Sequence, residues 1–366
     1  MAEQKPISTK QKIIKYVFDT KITSKSDIAT ALSLSMPTVL TTIKELISDG
    51  ILQEEGEFES TRGRRAKKIT IVGDSYYVVG IDITANHVSM VMVDFSGIIV
   101  LRQRLRRKFE NTLEYFEGIC KLLDEFIEQI GLKEKILGVG ISFPGIIDKG
   151  HEILVKSHAL QIERMSLKNI SQMVPYPVLY ENDANSAAFA EMRNKKGDAV
   201  YLSLSNTVGG VIYLNGIVYE GVHYRSGEFG HMILHPHGRK CYCGRIGCVD
   251  AYCAAVRLSN YIEGNLAAFF NKVDEGEAFF VQKWNEYLDD LALVVSNLRI
   301  IFDCDVIIGG YVGGYIEKYM NLLQKKVLQY NMFDEDVTFL KSCRIKSEAS
   351  ALGIAMKFID NYILNF

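Results

Sequence analysis

Apolar residues recur three and four positions apart in the first fifty residues, a spacing that is typical of helices with one buried face. Segment 11–19 predicts a first helix, and capping residues at 24–27 predict that a second, short helix begins there. Pro37 stands near the first turn of a longer third helix, where its missing N–H costs least, and Gly50 ends that helix. The pattern therefore predicts three helices with a tight turn between the second and the third.

From Tyr76 onward the pattern changes to short runs of apolar and β-branched residues. Segment 77–83 is mostly apolar, 87–94 alternates, and Ser96-Gly97 predicts a turn into a third strand. Segment 111–131 predicts an amphipathic helix. Further strands are predicted at 136–142, 199–204, 209–214, 216–219 and 306–310. This order predicts two lobes of β-rich α/β structure with a cleft between them.

The composition is that of an ordinary soluble protein, with 48% hydrophobic residues, 23% charged residues and a formal net charge of −2 over 366 residues. That length predicts two or three domains. No stretch approaches the length of about twenty apolar residues that a membrane span needs, and the first residues lack the apolar core of a signal peptide. We therefore expect a cytoplasmic protein without a membrane partner, whose cysteines outside any metal site are reduced.

Positive charge is concentrated at the N-terminus, where residues 1–72 carry twelve Lys and Arg against nine Asp and Glu. The predicted helices are followed by two short strands, 51–53 and 68–71, which frame a wing with a basic tip. A winged helix-turn-helix domain places its last helix in the DNA major groove and can reach phosphates with its wing. The residues predicted to contact DNA are Ser35, Thr38, Thr41, Thr42 and Lys44 of the third helix and Arg62, Arg64 and Arg65 of the wing. A small dimerisation or protein-binding module with a solvated basic loop is the alternative interpretation.

One histidine and three cysteines follow one another at offsets of ten, twelve and seventeen residues, with glycines between them. These residues, His231, Cys241, Cys243 and Cys248, predict a loop wrapped around one tetrahedral zinc ion. A closed set of four ligands favours a structural ion over a catalytic one. The alternative is a set of ordinary buried thiols. Cys253 follows in an apolar run and is interpreted as a packing residue.

Several motifs resemble those of the ROK family, which groups bacterial sugar kinases with sugar-responsive transcriptional repressors. They are Ser142-Phe-Pro-Gly145, Glu181-Asn-Asp-Ala-Asn185, Glu228-Phe-Gly-His231 and the cysteine loop. The resemblance implies an α/β, actin-like and hexokinase-like duplicated fold of two lobes over residues 76–366, with the zinc loop at 231–248. Repressor members carry an N-terminal winged helix-turn-helix domain, which corresponds to residues 1–72 here. The resemblance also implies operator DNA as a partner and a homodimer or homotetramer as the assembly.

The same resemblance implies a sugar-binding site. Its contacts are expected at Gly145, Asn182, Asp183, Glu228, His231 and Asp250, with His231 also binding the metal. In kinase members the aspartate equivalent to Asp183 is the general base on the hydroxyl that attacks ATP. Asn182 and Asp183 can alternatively cap a helix, since the residues after them are typical of a helix start, and both roles can coexist.

The chain departs from kinase members of the family at both loops that hold ATP phosphates. Their Asp-x-Gly-Gly-Thr is Asp82-Ile-Thr-Ala-Asn86 here, and their Gly-Thr-Gly-x-Gly-Gly is Ser205-Asn-Thr-Val-Gly-Gly210. Glycines let backbone N–H groups approach phosphate oxygens, so their loss predicts weak binding of a triphosphate. Asp250 also stands where the family usually has a glutamate, two residues after the last cysteine of the loop.

These departures favour a transcriptional regulator without catalytic activity, most simply a repressor. It is expected to bind operator DNA and to respond to a sugar or a sugar phosphate held in the region 76–366. The alternative is an ATP-dependent sugar kinase in which Asp183 is the catalytic base.

Overall fold

The computed structural model describes residues 7–59, 65–193, 195, 197–331 and 333–366. The chain divides into two compact units. Unit 1 comprises Met1–Ile141, Lys168–Tyr180 and Ile354–Phe366, and unit 2 comprises Ser142–Leu167 and Glu181–Gly353. Among the helices described, none combines the length and the apolar character that crossing a membrane requires.

Unit 1 begins with the three helices that the sequence predicted, α1 (Thr9–Thr20), α2 (Lys25–Leu32) and α3 (Met36–Ser48). Each helix follows a serine whose hydroxyl accepts a hydrogen bond from a backbone N–H of the first turn. Ser8 and Ser24 form reciprocal capping boxes with the third residue of their helices. The buried apolar side chains of the three helices are Ile13, Ile14, Val17, Phe18, Ile28, Val39, Ile43 and Leu46.

Two antiparallel strands follow the helices, β1 (Leu52–Glu57) and β2 (Lys67–Ile71). Glu54 of β1 lies between two cations, 2.6 Å from Nζ of Lys25 and 2.6 Å from Nζ of Lys67. Its hydrogen bonds with these two lysines lower the pKa of Glu54. The hairpin is therefore attached to α2 by an ion pair that neutralises part of its acidic stretch.

Of the thirteen further strands in the described residues, eight occupy regions that the sequence predicted, whereas those at 146–148, 153–157, 162–166, 178–182 and 340–342 were not predicted. The thirteen strands are β3 (Tyr77–Ile83), β4 (His87–Asp94), β5 (Ile99–Arg106), β6 (Ile136–Phe143), β7 (Ile146–Asp148), β8 (Ile153–Ser157), β9 (Ile162–Ser166), β10 (Val178–Asn182), β11 (Ala199–Leu204), β12 (Val208–Leu214), β13 (Ile217–Val218), β14 (Asp305–Gly309) and β15 (Leu340–Ser342).

Ten of these strands form two five-stranded sheets with the same strand order. The orders are β5-β4-β3-β6-β10 and β13-β12-β11-β14-β15. In each sheet three consecutive strands form an antiparallel meander. Two strands from later in the chain lie on the other side of the first strand of that meander and complete the sheet. This repetition confirms the predicted duplicated α/β fold. β7, β8 and β9 form a separate antiparallel sheet.

Helices connect and cover the sheets. They are α4 (Leu113–Glu128), α5 (Lys168–Met173), α6 (Asp183–Met192), α7 (Asp250–Cys253), α8 (Val256–Ser259), α9 (Leu266–Asp274), α10 (Ala278–Phe302), α11 (Gly310–Ile316), α12 (Met320–Leu328) and α13 (Ala349–Leu364). The long α10 belongs to the core of unit 2, where Trp284, Leu288, Leu291 and Val295 are buried. Its apolar stretch therefore packs inside the unit.

The last turns of α13 contact α1 within unit 1. Nζ of Lys15 lies 2.9 Å from Oδ2 of Asp360, and the side-chain amide of Gln11 donates to the carbonyl oxygen of Leu364 at 2.7 Å. The N-terminal helices are thereby attached to the C-terminal helix by an ion pair and a hydrogen bond.

Candidate functional site

A cavity of about 340 Å³ lies within unit 2 and is within the range of about 300–1,000 Å³ that small-molecule sites occupy. Four stretches of chain line it, together with Tyr242: 144–159, 181–185, 203–211 and 219–231. Of the residues expected to contact a sugar, Gly145, Asn182, Asp183, Glu228 and His231 all line this one cavity. The fold therefore brings together five side chains or backbone positions that are far apart in the chain.

Asn182 fixes one wall of the cavity. Its Oδ1 accepts a hydrogen bond of 3.0 Å from the backbone N–H of Asn185, so it is the N-cap of α6. Its Nδ2 donates to the carbonyl oxygen of Gly145 at 2.9 Å. Gly145 has a φ of 129°, and a Cβ there would lie 2.4 Å from the carbonyl oxygen of Lys156, so only glycine fits.

Asp183 and Glu228 present two carboxyl groups to the cavity. Desolvation raises the pKa of Asp183 to about 6, although the backbone N–H of Ala184 donates to its Oδ1 at 2.9 Å. Burial, and then the charge of Asp183, raise the pKa of Glu228. Two carboxylates that are short of compensating charge can accept hydrogen bonds from neighbouring hydroxyl groups of a ligand.

An ion pair in the lining of the cavity was not predicted from the sequence. Glu181 is 1% exposed, and Nζ of Lys149 lies 2.8 Å from its Oε2 and 2.6 Å from Oε1 of Glu220. Burial alone would lower the pKa of Lys149, but the two carboxylates outweigh it and the pKa is raised. Glu181 heads a recognised motif, whereas Lys149 carries no sequence signal because it resembles any loop lysine.

The four predicted metal ligands lie together in the structure. The candidate ligand atoms of His231, Cys241, Cys243 and Cys248 are all within 4.8 Å of one another. Sγ of Cys241 is 4.0 Å from Nδ1 of His231, and Sγ of Cys243 is 3.7 Å from Sγ of Cys248. A tetrahedron with bonds of about 2.3 Å has edges of about 3.8 Å, so this donor set fits one ion. Burial raises the pKa of the Cys241 thiol, and a bound cation would favour its ionised form.

His231 belongs to both the metal-ligand set and the cavity wall. Its Nδ1 faces the thiol of Cys241, and its Nε2 is 3.5 Å from the hydroxyl oxygen of Tyr242. The ring of His158 lies 5.9 Å from that of His231 and 5.7 Å from that of Tyr242. These three rings form an aromatic edge of the cavity.

The structure corrects the expected role of Asp250. This residue is 1% exposed and is not one of the described residues that line the cavity. Its carboxylate accepts a hydrogen bond of 2.7 Å from the backbone N–H of Val208. Burial raises the pKa of Asp250 to about 6. The side chain, one methylene shorter than glutamate, is thus held by the backbone and is not placed to contact a ligand.

The exposed face of α3 also differs from the sequence prediction at one residue. Thr38, Thr41 and Lys44 are exposed, but Thr42 is only 8% exposed because it shares the buried face of the helix with Ile43. Thr42 is therefore a packing residue and cannot reach a base edge. Ser35 is exposed but caps the helix. Arg65 is exposed, whereas Arg62 and Arg64 lie outside the described residues.

A family comparison matches residues 78–360 to the sequence model described as "ROK family", about three quarters of the chain. The chain belongs to the ROK family. Its strand order agrees with this assignment, since ROK proteins resemble actin and hexokinase in having a duplicated sheet.

Three known ROK proteins illustrate the range of the similarity. The xylose repressor of Caldicellulosiruptor bescii is 26% identical over 380 residues, covering 95% of this chain and 94% of that protein. The N-acetylmannosamine kinase of Escherichia fergusonii is 28% identical over 293 residues, covering 76% of this chain and 97% of the kinase. A crystal structure of a ROK family transcriptional regulator, a homologue of the E. coli Mlc protein, superposes with a TM-score of 0.76 at 16% identity and covers 97% of this chain and 98% of the other.

The loop at 205–210 keeps two glycines of the phosphate-binding pattern found in ROK kinases, and both serve packing here. A Cβ on Gly210 would lie 2.2 Å from the ring of Phe229, and one on Gly209 would lie 3.1 Å from Cβ of Ala184. Both glycines lie in β12. Gly210 is therefore explained by the close approach of the segment around Glu228, and Gly209 by the close approach of α6.

Proposed function

We propose that this chain is a transcriptional repressor that binds operator DNA through its N-terminal segment and releases it when a sugar binds in the cavity of unit 2. One observation carries the proposal. The similarity to a xylose repressor extends over 95% of the chain, whereas the similarity to an N-acetylmannosamine kinase covers 76%. The kinase comparison therefore leaves out about a quarter of the chain.

In this proposal residues 1–72 form a winged helix-turn-helix domain, with α3 as the recognition helix and β1 and β2 as the wing. The exposed side chains of Thr38, Thr41 and Lys44 support it, because they place hydroxyl and ammonium groups on one face of α3. Ser35 lies at the N-terminus of this helix and can approach a phosphate. In the wing, Arg62, Arg64 and Arg65 supply charge for the DNA backbone.

The effector occupies the cavity, where Asn182, Asp183, Glu228 and His231 offer donors and acceptors to a ring of hydroxyls. Gly145 permits close approach of the ligand to the backbone. A structural zinc ion held by His231 and the three cysteines of the loop braces the segment that carries Glu228. Four protein ligands would complete a tetrahedral coordination sphere, so the ion would brace the loop and leave no position for a substrate.

Sugar binding shifts the population between a conformation that fits the operator and one that does not, which requires unequal affinity of the sugar for the two. The contact between Lys15 of α1 and Asp360 of α13 supports a route by which the ROK region influences the N-terminal helices. A homodimer or homotetramer presents paired recognition helices to two half-sites, which are about 34 Å apart when they are separated by one helical turn.

A second candidate function is ATP-dependent phosphorylation of a sugar. Asp183 favours it, because this residue lines the cavity and its pKa of about 6 suits a general base. The loss of the early glycines from both phosphate loops argues against it. We therefore favour the transcriptional repressor over the sugar kinase.

One experiment separates the two functions. The purified protein selects a binding site from a random duplex library, and anisotropy measures its affinity for that site with and without a panel of sugars. We expect tight binding that one sugar weakens, and no ADP when ATP and Mg²⁺ are added with that sugar. ADP formation at ordinary enzyme rates, or the absence of any selected DNA, contradicts the proposal.

A further inference from the structure

The charges around the cavity do not balance. Four carboxylates line it, Glu181, Asp183, Glu220 and Glu228, against three cations, Lys149, Lys156 and Arg225, among the residues that the structure describes. The two histidines that line it are not counted as cations, because His231 belongs to the candidate metal-ligand set and the ring of His158 lies 5.9 Å from the ring of His231. An anionic ligand can therefore bind only if some of these cations are available to it.

Both lysines are already engaged. Lys149 lies 2.8 Å from Glu181 and 2.6 Å from Glu220, so one cation serves two carboxylates. Nζ of Lys156 lies 2.9 Å from Oε1 of Glu163, a residue outside the cavity lining. A ligand that recruited Lys149 would remove the cation from the buried carboxylate of Glu181.

The other two lining carboxylates have no cation of their own. Within the described residues, Asp183 bonds only to a backbone N–H, and the carboxylate of Glu228 makes no hydrogen bond or ion pair. Arg225 makes no ion pair in the described part of the chain, but it is exposed on the rim segment 219–227. One exposed cation therefore stands against two carboxylates in the cavity.

We propose that the effector is an uncharged monosaccharide and that its phosphate ester is rejected by the cavity. This inference rests on the proposed function and narrows it. A sugar phosphate carries a charge of about −1.5 to −2 at neutral pH. Asp183 and Glu228 repel it, and the single lining cation without an ion pair among the described residues, Arg225, is exposed to solvent and compensates little. An uncharged sugar instead donates hydrogen bonds from its hydroxyls to these same carboxylates. The negative charge that repels the ester strengthens these hydrogen bonds.

Paired ligands test the inference on the full-length protein. Isothermal titration calorimetry at pH 7.5 compares glucose with glucose 6-phosphate, N-acetylglucosamine with its 6-phosphate, and xylose and ribose with their 5-phosphates. For any sugar that binds, we expect the ester to bind at least tenfold more weakly. An ester that binds as tightly as its parent sugar, or more tightly, overturns the inference while leaving a sugar-responsive regulator in place.

Charge-removing variants show whether repulsion is the cause. In Asp183→Asn and Glu228→Gln the parent sugar loses affinity, and the ratio of ester to sugar dissociation constants falls at least threefold. An unchanged ratio in both variants contradicts the electrostatic cause, as does ester binding that disappears in Arg225→Ala. If the protein binds operator DNA but neither the free sugars nor their phosphate esters, both the proposed sugar response and this inference are contradicted.

Discussion

The carboxylate of Asp250 accepts a hydrogen bond of 2.7 Å from the backbone N–H of Val208, which joins the metal-ligand loop to the cavity wall. Asp250 stands two residues after Cys248, and Val208 lines the cavity at the start of β12. A second hydrogen bond of 2.8 Å, from the backbone N–H of Ala255 to the carbonyl oxygen of Ser205, reinforces this connection. The segment that follows the metal-ligand loop therefore supports the cavity wall through one side-chain and one backbone hydrogen bond.

Removing one metal ligand tests that connection. In Cys241→Ser we expect loss of bound zinc by elemental analysis and a lower midpoint of thermal unfolding, because the loop loses its brace. Effector affinity falls at least about tenfold, the scale seen when support around a metal site is lost. Cys120→Ser is the control, since this thiol lies outside the ligand set. Unchanged metal content in Cys241→Ser would contradict the proposed zinc site.

Replacing Asp250 separates its structural role from a direct ligand contact. Asp250→Ala leaves the N–H of Val208 without its acceptor and should lower the free energy of unfolding by about 1–3 kcal/mol. Asp250→Asn keeps an acceptor oxygen and restores most of this stability. Urea denaturation measures both. Full stability of Asp250→Ala would show that the hydrogen bond is unimportant.

Effector affinity should depend on pH through Asp183. Its folded pKa of about 6 lies above the ordinary value of 3.8, so the carboxylate that accepts sugar hydroxyls is lost as the pH falls through 6. Affinity should fall about tenfold between pH 7.5 and pH 5. The raised pKa of Glu228 acts in the same direction. Titration calorimetry at several pH values measures the effect.

The variant Asp183→Asn is the control for that dependence, because an amide does not titrate, and its profile should be flatter. The contribution of Asp183 to the free energy of unfolding depends on pH in the opposite direction. A carboxyl group whose pKa is raised on folding contributes stability below its unfolded pKa, and this contribution is lost as the pH rises through the folded value of about 6. A steeper loss of affinity in acid for Asp183→Asn than for the parent protein would contradict the assignment.

The surface of α3 allows a matched pair of DNA-binding variants. Thr41→Ala removes an exposed hydroxyl and should weaken operator binding about tenfold, whereas Thr42→Val changes a buried neighbour and should leave affinity nearly unchanged. Lys44→Ala should lower the slope of log affinity against log salt by about one. Equal losses for Thr41→Ala and Thr42→Val would mean that folding, and not DNA contact, explains them.

Alanine variants of two glycines distinguish steric crowding from backbone strain. Gly227 and Gly216 both have positive φ, 78° and 83°, but a Cβ on Gly227 would lie 2.1 Å from the carbonyl oxygen of Gly210 and one on Gly216 meets nothing within 4 Å. Gly227→Ala should therefore destabilise the protein by about 1–3 kcal/mol more than Gly216→Ala. Denaturant unfolding of both variants measures the difference, and equal values would rule out crowding.

Much of the N-terminal segment could be predicted because its signals are local. Each of Ser8, Ser24 and Ser35 caps the helix that begins directly after it, and the metal ligands occur within eighteen residues of chain. The prediction was wrong for Thr42, which lies three residues after Val39 and therefore on the buried face of α3.

The sequence by itself determined the elements, the motifs and the donor set of the metal loop, since these depend on residues that are neighbours in the chain. Only the tertiary structure decided that Lys149 pairs with Glu181 and Glu220, and that Asp250 bonds to Val208 and not to the cavity. These contacts join residues that are 32 to 71 positions apart. Their energy depends on burial and distance, which no local pattern encodes.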